Sequence, residues 1–157
     1  MLIRAATPAD IPAIIRLGQQ SATAAHWTVE LYRQAFQSEG VGRLVLVADS
    51  SAPLASRPDL VGEVVGFLVA RHLAAEWELE NIVVALTARR QGLGKRLLEA
   101  LFSAARETNG GAMFLEVRES NAAARSFYER AGFEPTGRRK GYYADPLEDA
   151  VLYRRGL

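Results

Sequence analysis

One stretch of the chain, residues 83–98 (VVALTARRQGLGKRLL), limits the possible folds more than any other. An apolar strand pattern runs into a basic turn with two glycines, and a helix with leucines at helical spacing starts directly after the turn. A strand followed so closely by a helix is typical of chains in which helices pack on a mixed sheet. The stretch therefore indicates an α/β (α+β) protein.

The turn itself has the features of an anion-binding site. A helix N-terminus presents backbone N–H groups without intrahelical partners, and the helix dipole favours negative charge there. Gly92 and Gly94 carry no Cβ that would keep a phosphate away from those groups. Charge-assisted contacts would come from Arg89, Arg90 and Lys95. The pattern alone leaves a second interpretation open, in which this is a glycine-rich connection with solvated arginines.

The hydrophobic pattern of the whole chain predicts a single domain, residues 1–157, with about six to seven strands and about four helices. Strands are expected at 2–5, 43–49, 61–71, 77–84 and 112–118, and within 133–143 and 148–155. Helices are expected after Thr7, from Thr28 to Gly40 and Gly42, from the basic turn to about residue 109, and over 121–131. The Pro- and Ser-containing stretch 50–60 is expected to be a hairpin loop. This order predicts a single mixed β-sheet flanked by helices.

Composition argues against several classes of function. The chain has 157 residues, 49% hydrophobic and 24% charged, as in an ordinary globular domain. A formal net charge of +1 argues against broad binding to nucleic acid. Because there is no cysteine and there are only two histidines, no metal site is expected. The N-terminus lacks a secretion-signal pattern and no run approaches the roughly 20 apolar residues that span a bilayer, so we expect a cytoplasmic protein without a membrane segment.

A carboxylate stands in an otherwise apolar strand pattern, AMFLEVR at 112–118. Strand side chains alternate between faces, so Glu116 shares a face with Phe114 and Arg118. Burial in such a strand tends to raise the pKa of a carboxyl group. Two simpler interpretations stay open, a glutamate on an exposed sheet face and an ion pair with Arg118.

An amide and a phenol follow on the next predicted helix. Asn121 and Tyr128 are seven residues apart and therefore lie on nearly the same helix face. An amide on the first turn can bind polar atoms of a ligand, while a phenol two turns later points along the same groove. The alternative is that Asn121 caps the helix and Tyr128 packs in the core.

Taken together, these segments resemble the GNAT acetyltransferase superfamily. Its R-x-x-G-x-G signature is present at 89–94, directly downstream of the strand NIVV. More narrowly, 115–133 (LEVRESNAAARSFYERAGF) resembles a segment of the ribosomal-protein-alanine N-acetyltransferase (RimI) family. AHWT at 25–28 is similar to that family's His-Pro-Trp-Ser/Thr stretch, although the proline is absent, and GYY…EDAVLY is similar to its closing hairpin. The resemblance covers nearly the whole chain and is strongest from 77 to 154.

The resemblance implies the GNAT fold and transfer of an acetyl group from acetyl-CoA (coenzyme A) to a protein N-terminal α-amino group, without a covalent enzyme intermediate. In that family the R-x-x-G-x-G turn holds the CoA pyrophosphate. This implies cofactor-binding roles for Arg89, Arg90, Gln91, Gly92, Leu93, Gly94 and Lys95. Backbone groups of Ile82, Val83 and Val84 would align the pantetheine arm and polarise the thioester carbonyl, and Asn121 would contact the cofactor.

The resemblance also implies that Glu116 is the general base and Tyr128 the general acid. A free α-amino group has a pKa of about 7.7–8.0, so it must lose a proton before attack, and a departing thiolate must gain one. Tyr142 and Tyr143 resemble the hairpin that covers the acceptor peptide, with an exposed pair on an edge strand as the alternative. Trp27 is expected either in the acceptor cleft or packed against the second helix.

Three other functions remain open from the sequence. The first is acetylation of a lysine side chain, a polyamine or a small-molecule amine on the same fold. The second is a noncatalytic acyl-CoA-binding regulator, which would have no need of Glu116 and Tyr128. The third is a nucleic-acid binder that uses the basic run 138–140, which is otherwise a solvated strand end. The family name suggests alanine on a small ribosomal-subunit protein as the acceptor, and the oligomeric state stays open.

Overall fold

The computed structural model describes residues 1–37, 42–50 and 62–157. This part of the chain forms one seven-stranded sheet with β1 Leu2–Ala5, β2 Gly42–Asp49, β3 Val64–Leu73, β4 Glu76–Val84, β5 Ala112–Arg118, β6 Glu134–Tyr143 and β7 Glu148–Gly156. Its α-helices are α1 Ile11–Gln19, α2 Val29–Gln37, α3 Leu93–Glu107 and α4 Ala122–Arg130. The predicted mixed sheet and the predicted order of strands and helices are confirmed.

The sheet has the strand order β1-β2-β3-β4-β5-β7-β6. Its neighbouring strands are antiparallel except for β4 and β5, which run parallel. A parallel pair needs a crossover connection, and α3 provides it. The basic turn therefore lies between the end of β4 and the start of the crossover helix, in the middle of the fold.

The two central strands separate after a short seam. In the described residues, three pairs join β4 to β5, namely Glu76 with Ala112, Trp77 with Met113 and Glu78 with Phe114. The register between β3 and β4 shifts between Val69 and Ala70, which bends β4 just beyond the seam. The space between the later parts of the two strands is called the β4–β5 gap below.

Helices cover the two faces of the sheet in different places. The core under α3 and α4 contains Leu46 and Leu68, whereas the core under α1 and α2 contains Val47 and Phe67. Because successive strand residues point to opposite faces, the two cores lie on opposite sides of the sheet. On β5, Leu115 belongs to the core under α3, so Glu116 faces the side of α1 and α2.

The sequence predicts caps at Thr7 and Thr28, but Thr7 precedes a 3₁₀ turn, Pro8–Asp10, and its side chain makes no capping bond; α1 itself starts at Ile11, with Asp10 as its N-cap. The Thr7 N–H donates to the Asp10 carboxylate (2.8 Å), and the Leu31 N–H donates to Thr28 Oγ1 (3.2 Å). Asp10 has a further task, because its buried carboxylate accepts two hydrogen bonds from the Arg4 guanidinium (2.8 and 2.9 Å). These bonds fix β1 to the segment that leads into α1.

Some predicted boundaries differ from the structure. Gly42, expected to help end α2, is instead the first residue of β2. Gly40 and residues 51–60 of the expected hairpin loop lie outside the described residues. The strand expected at 61–71 is β3, which starts at Val64 and continues to Leu73.

Candidate active site

The basic turn, residues 89–95, presents the start of α3 beside the end of β4. Gly92 is the N-cap of α3 with a φ of 76°, and its carbonyl accepts the first helical hydrogen bond from the Arg96 N–H (3.1 Å). The three N–H groups before that bond have no intrahelical partner. A Cβ on Gly92 would meet nothing within 4 Å, so the space in front of the turn is open. This backbone arrangement fits an anion.

The basic side chains of the turn differ in their contacts. Arg89 Nε donates to the Val84 carbonyl (3.1 Å), so this side chain bridges the turn and the end of β4. Lys95 is exposed and lies 3.6 Å from a glutamate one turn later on α3. Arg90 is exposed, has a φ of 64°, and its guanidinium has no partner among the described residues. Arg90 is therefore the basic side chain with most freedom to contact a ligand.

The remaining turn residues contribute mainly through the backbone. Gln91 donates its side-chain amide to the Thr87 carbonyl (3.3 Å). Leu93 is buried in the core under α3, so its side chain does not face a ligand. A Cβ on Gly94 would lie 3.3 Å from the ring of Phe127 on α4. The absence of a side chain at this position thus lets α3 and α4 approach each other next to the gap.

The backbone of β4 points alternate groups into the β4–β5 gap. The Ala85 N–H donates to the Val65 carbonyl (2.8 Å), which fixes the alternation of the antiparallel β3–β4 pair. Val83 therefore directs its N–H and C=O toward β3, whereas Ile82 and Val84 direct theirs toward the gap. Of the three strand residues predicted to contact a cofactor through the backbone, this geometry suits Ile82 and Val84 and leaves Val83 paired.

Glu116 lies in a groove of about 620 Å³ on the side of the sheet opposite α3. The groove is lined by residues of several strands, among them Arg71, Glu78, Phe114, Glu116, Arg139, Tyr142 and Leu152. The Glu116 side chain is 17% exposed, and its Oε1 is 3.1 Å from Arg139 Nε. The ion pair with Arg118 that the sequence left open does not form, because Arg118 pairs with Glu148 (3.3 Å) instead.

The hairpin between β6 and β7 brings both predicted tyrosines close to Glu116. Interaction of the Tyr142 hydroxyl with the Glu116 carboxylate raises the pKa of Tyr142, and burial adds to the effect. Burial, with a smaller contribution from Glu116, raises the pKa of Tyr143 to about 12. Tyr142 remains half exposed. Both phenols therefore keep their protons at neutral pH, and Tyr142, which lines the groove, can donate a hydrogen bond there.

Arg118 anchors this hairpin to β5. Its guanidinium donates to the Ala144 and Pro146 carbonyls (both 3.2 Å), pairs with Glu148, and lies 4.4 Å from the ring centre of Tyr143. Glu148 in turn accepts a hydrogen bond from the Ser120 N–H. One side chain on β5, two positions after Glu116, thus holds the loop that carries the tyrosines.

The two predicted residues of α4 have structural tasks as well. Asn121 is the N-cap of α4, and its side-chain oxygen accepts the Ala124 N–H (3.2 Å), which leaves its amide N–H groups without a partner among the described residues. Tyr128 is buried, and desolvation raises its pKa, with a smaller contribution from Tyr143. No described residue hydrogen-bonds the Tyr128 hydroxyl. In the described part of the chain, every fully buried side-chain polar atom has a hydrogen-bond partner, so this hydroxyl is not fully buried and reaches the surface.

Trp27 packs beside α2. Its ring centre is 5.3 Å from that of Tyr32, and the Arg43 guanidinium lies 5.1 Å from the Trp27 ring centre. The loop that carries Trp27 is tied to β4, since Asn81 Nδ2 donates to the Ala25 carbonyl (2.9 Å). The structure therefore gives Trp27 the packing role that the sequence left open, and contact with an acceptor stays a prediction.

The structure thus assembles the predicted residues in two groups. The basic turn, the gap-facing backbone of β4 and α4 lie together on one side, and Glu116 with the hairpin tyrosines lies at the groove on the other. Sequence reasoning missed Arg139 and Arg118 as parts of the site. From the sequence, the basic run that contains Arg139 is expected to be a solvated strand end. Because strand side chains alternate between faces, Arg138 and Arg139 point to opposite sides of the sheet, and this alternation could have indicated that one of them faces the site.

This architecture agrees with comparisons to known proteins. The model of the acetyltransferase (GNAT) family matches residues 20–133. The chain belongs to the GNAT acetyltransferase family. Over 93 residues it is 39% identical to the [ribosomal protein bS18]-alanine N-acetyltransferase of Escherichia coli K12, an alignment that covers 58% of the chain and 63% of that relative. The resemblance inferred from the sequence is confirmed.

Solved structures share this fold along nearly the whole chain. The crystal structure of the ribosomal-protein-S18-alanine N-acetyltransferase from Escherichia coli superposes with a TM-score of 0.79 and 29% identity, over 99% of this chain and 92% of that one. Ard1 from Thermoplasma volcanium gives a TM-score of 0.81 and 30% identity, over 99% and 97%. Among the described residues, no helix has the length and apolar character to cross a membrane.

Proposed function

We propose that this GNAT protein transfers the acetyl group of acetyl-CoA to the α-amino group of a protein N-terminus. The observation that carries the proposal is the position of Glu116, a carboxylate in an open groove beside the two hairpin tyrosines. A groove of this size admits an extended peptide end to the carboxylate. The identity with a relative named as an alanine N-acetyltransferase supports the same acceptor class, and a ribosomal protein N-terminus is the first candidate.

The residues present fit acetyl-CoA. The open N-terminus of α3 at Gly92 and the guanidinium of Arg90, which has no partner in the part of the chain that the structure describes, suit a pyrophosphate. The gap-facing backbone groups of Ile82 and the N–H of Val84, whose carbonyl already accepts from Arg89, suit the amides of an extended pantetheine arm, which they would bind as a neighbouring strand would. The amide N–H groups of Asn121, without a partner within residues 1–37, 42–50 and 62–157, are a further set of donors at the start of α4.

The proposed chemistry needs one proton acceptor and one proton donor. When bound, acetyl-CoA supplies the acetyl group as a thioester. Glu116 accepts the proton that the acceptor ammonium must lose before its nitrogen forms the new bond to the acetyl carbon. Tyr128 would donate a proton to the departing thiolate and would regain one from the second proton that the acceptor nitrogen loses on becoming an amide, while Glu116 would return its proton to solvent. Because burial raises the pKa of Tyr128, its proton is present at neutral pH.

A thiol-release assay with acetyl-CoA tests this proposal. The acceptor panel consists of short peptides with free Ala, Ser, Thr or Met at the N-terminus, the same peptides with a blocked N-terminus, and an N-blocked lysine peptide. We expect turnover with free N-termini alone. Replacement of Glu116 by Gln is expected to lower kcat by about 10²–10⁴-fold while acetyl-CoA affinity is kept.

Glu119→Gln is the matched control, because Glu119 is a nearby glutamate that pairs with Arg138 outside the groove lining. Turnover of the lysine peptide with no turnover of free N-termini would instead assign an amine side chain as the acceptor. Binding of acetyl-CoA without turnover of any peptide in the panel would refute a protein N-terminus as the acceptor.

A further inference from the structure

The Glu116 carboxylate is in direct contact with a cation of the protein itself. Arg139 Nε is 3.1 Å from Glu116 Oε1, and the Arg139 side chain is 57% exposed in the groove. An acceptor amine arrives at neutral pH largely as an ammonium, and it must reach the same carboxylate. The acceptor ammonium would therefore approach a carboxylate whose Oε1 already has a cation beside it.

Among the described residues that line the groove, no other carboxylate is as buried as Glu116 and also available to the acceptor. Arg71, on β3, is held by Glu78 (2.6 Å), and it also contributes an electrostatic interaction with Glu116. The hydroxyls of Tyr142 and Tyr143 lie on the hairpin side of the same carboxylate. Of these neighbours, Arg139 is the charged group in direct contact with Glu116.

The position of Arg139 on β6 allows its guanidinium to move away from Glu116. The register between β6 and β7 holds at the pair Arg139–Ala150 and is interrupted before the pair Tyr143–Glu148. Gly141 within this interruption has a φ of 58°, a conformation that other residues rarely adopt. The Arg139 guanidinium also lies 5.5 Å from the ring centre of Tyr142, which offers an alternative cation–π contact.

We propose that Arg139 is a specificity-determining residue whose guanidinium occupies the place of the acceptor ammonium on Glu116, so that an acceptor enters only by displacing it. This inference rests on the proposed function, because it concerns the acceptor of that same site. An N-terminus that brings its own cation to Glu116 replaces the lost ion pair. A blocked N-terminus does not, and it leaves Arg139 in place. Arg139 thereby selects for acceptors with a free, charged amine.

The test compares the kinetics of wild type, Arg139→Gln and Arg139→Lys with the free-N-terminus peptide that turns over best. Loss of the competing cation in Arg139→Gln is expected to lower the peptide KM about two- to fivefold, as for a partly exposed ion pair, with little change in kcat. Arg139→Lys keeps the cation and is expected to retain a KM near that of wild type. An unchanged or higher KM in Arg139→Gln, or a loss of kcat, would overturn the inference.

Arg138→Gln is the matched control, since Arg138 is the preceding residue of β6 and pairs with Glu119 rather than Glu116. It should leave KM and kcat unchanged, and an equal fall of KM in this variant would mean that surface charge rather than the Glu116 contact is responsible. Failure of the proposed function has a different signature, namely no turnover of any free N-terminus by the wild-type protein. In that case the inference falls with it.

Discussion

Replacing Tyr128 by Phe separates the packing of α4 from the chemistry that we propose for it. The ring of Tyr128 is buried beside Phe127 and Phe133, and a phenylalanine ring at this position would keep these contacts. No described residue hydrogen-bonds the hydroxyl, so its removal breaks no bond within that part of the protein. We expect a change in the free energy of unfolding within about 0.5 kcal/mol. The kcat, in contrast, should fall about 10²–10⁴-fold through loss of a general acid.

Tyr153→Phe is the crossed control. Tyr153 is also buried, but its hydroxyl donates to Glu129 (2.7 Å) and accepts from Arg125 (3.2 Å). Loss of these charge-assisted bonds should lower the free energy of unfolding by about 1.5–3 kcal/mol. At about 2–4 °C per kcal/mol for a domain of this size, Tm falls by about 3–12 °C. Its kcat should stay within about threefold of wild type, because this hydroxyl has no role in the proposed proton transfers.

Thermal denaturation and steady-state kinetics on both variants test these expectations for Tm and kcat. The expected result is that one tyrosine changes kcat and the other changes Tm. The assignment of Tyr128 as the general acid is wrong if Tyr128→Phe keeps its kcat. The conclusion that the Tyr128 hydroxyl makes no hydrogen bond within the described part of the protein is wrong if Tyr128→Phe lowers the free energy of unfolding as much as Tyr153→Phe does.

Three further predictions concern stability and the hairpin. The Arg4 hydrogen bonds lower the pKa of Asp10, so the Asp10 carboxylate stabilises the fold above its usual pKa of about 3.9, and this contribution is lost as pH falls. Asp10→Asn should therefore lower the free energy of unfolding by about 1.5–3 kcal/mol near pH 7. Denaturation at about pH 3 should show a smaller difference between the variant and wild type. Gly92→Ala should cost about 1–2 kcal/mol in chemical denaturation, from its φ of 76° alone, because the added Cβ meets no atom; a cost equal to that of Gly92→Asn would contradict this. Arg118→Ala should raise the peptide KM and leave the acetyl-CoA KM unchanged, because Arg118 holds the loop beside Tyr143; unchanged peptide KM would exclude the hairpin from acceptor binding.

The order of strands and helices was predictable because local signals agree with the final fold. Thr28 is a good capping residue, and the alternation of 112–118 assigns each side chain to the correct face. The R-x-x-G-x-G turn could be located for the same reason, since its geometry depends on neighbours in the sequence. These features depend on contacts within a few residues and therefore leave a pattern in the sequence.

The contacts of the site were less predictable because they join residues far apart in the chain. Glu116 on β5 pairs with Arg139 on β6, across the one intervening strand β7, although Arg118 is much closer in sequence. The strand order β5-β7-β6 brings β6 near Glu116, and nothing in the local pattern of either strand encodes that order. Likewise, only the register between β3 and β4 shows that Ile82 and Val84 direct their backbone groups toward the gap and that Val83 does not.

The short seam between β4 and β5 gives this sheet two additional edges in its interior. Exposed strand edges are ordinarily a risk of aggregation, because another chain can pair with them. Here the two edges face each other across the gap, because their strands stay joined at Glu76 to Glu78. Amide hydrogens of Ile82 and Val84 should accordingly exchange with solvent faster than that of Val83 between them, despite their central place in the sheet. A slim extended ligand that pairs with these edges would slow that exchange and join the two halves of the sheet into a mechanically continuous one.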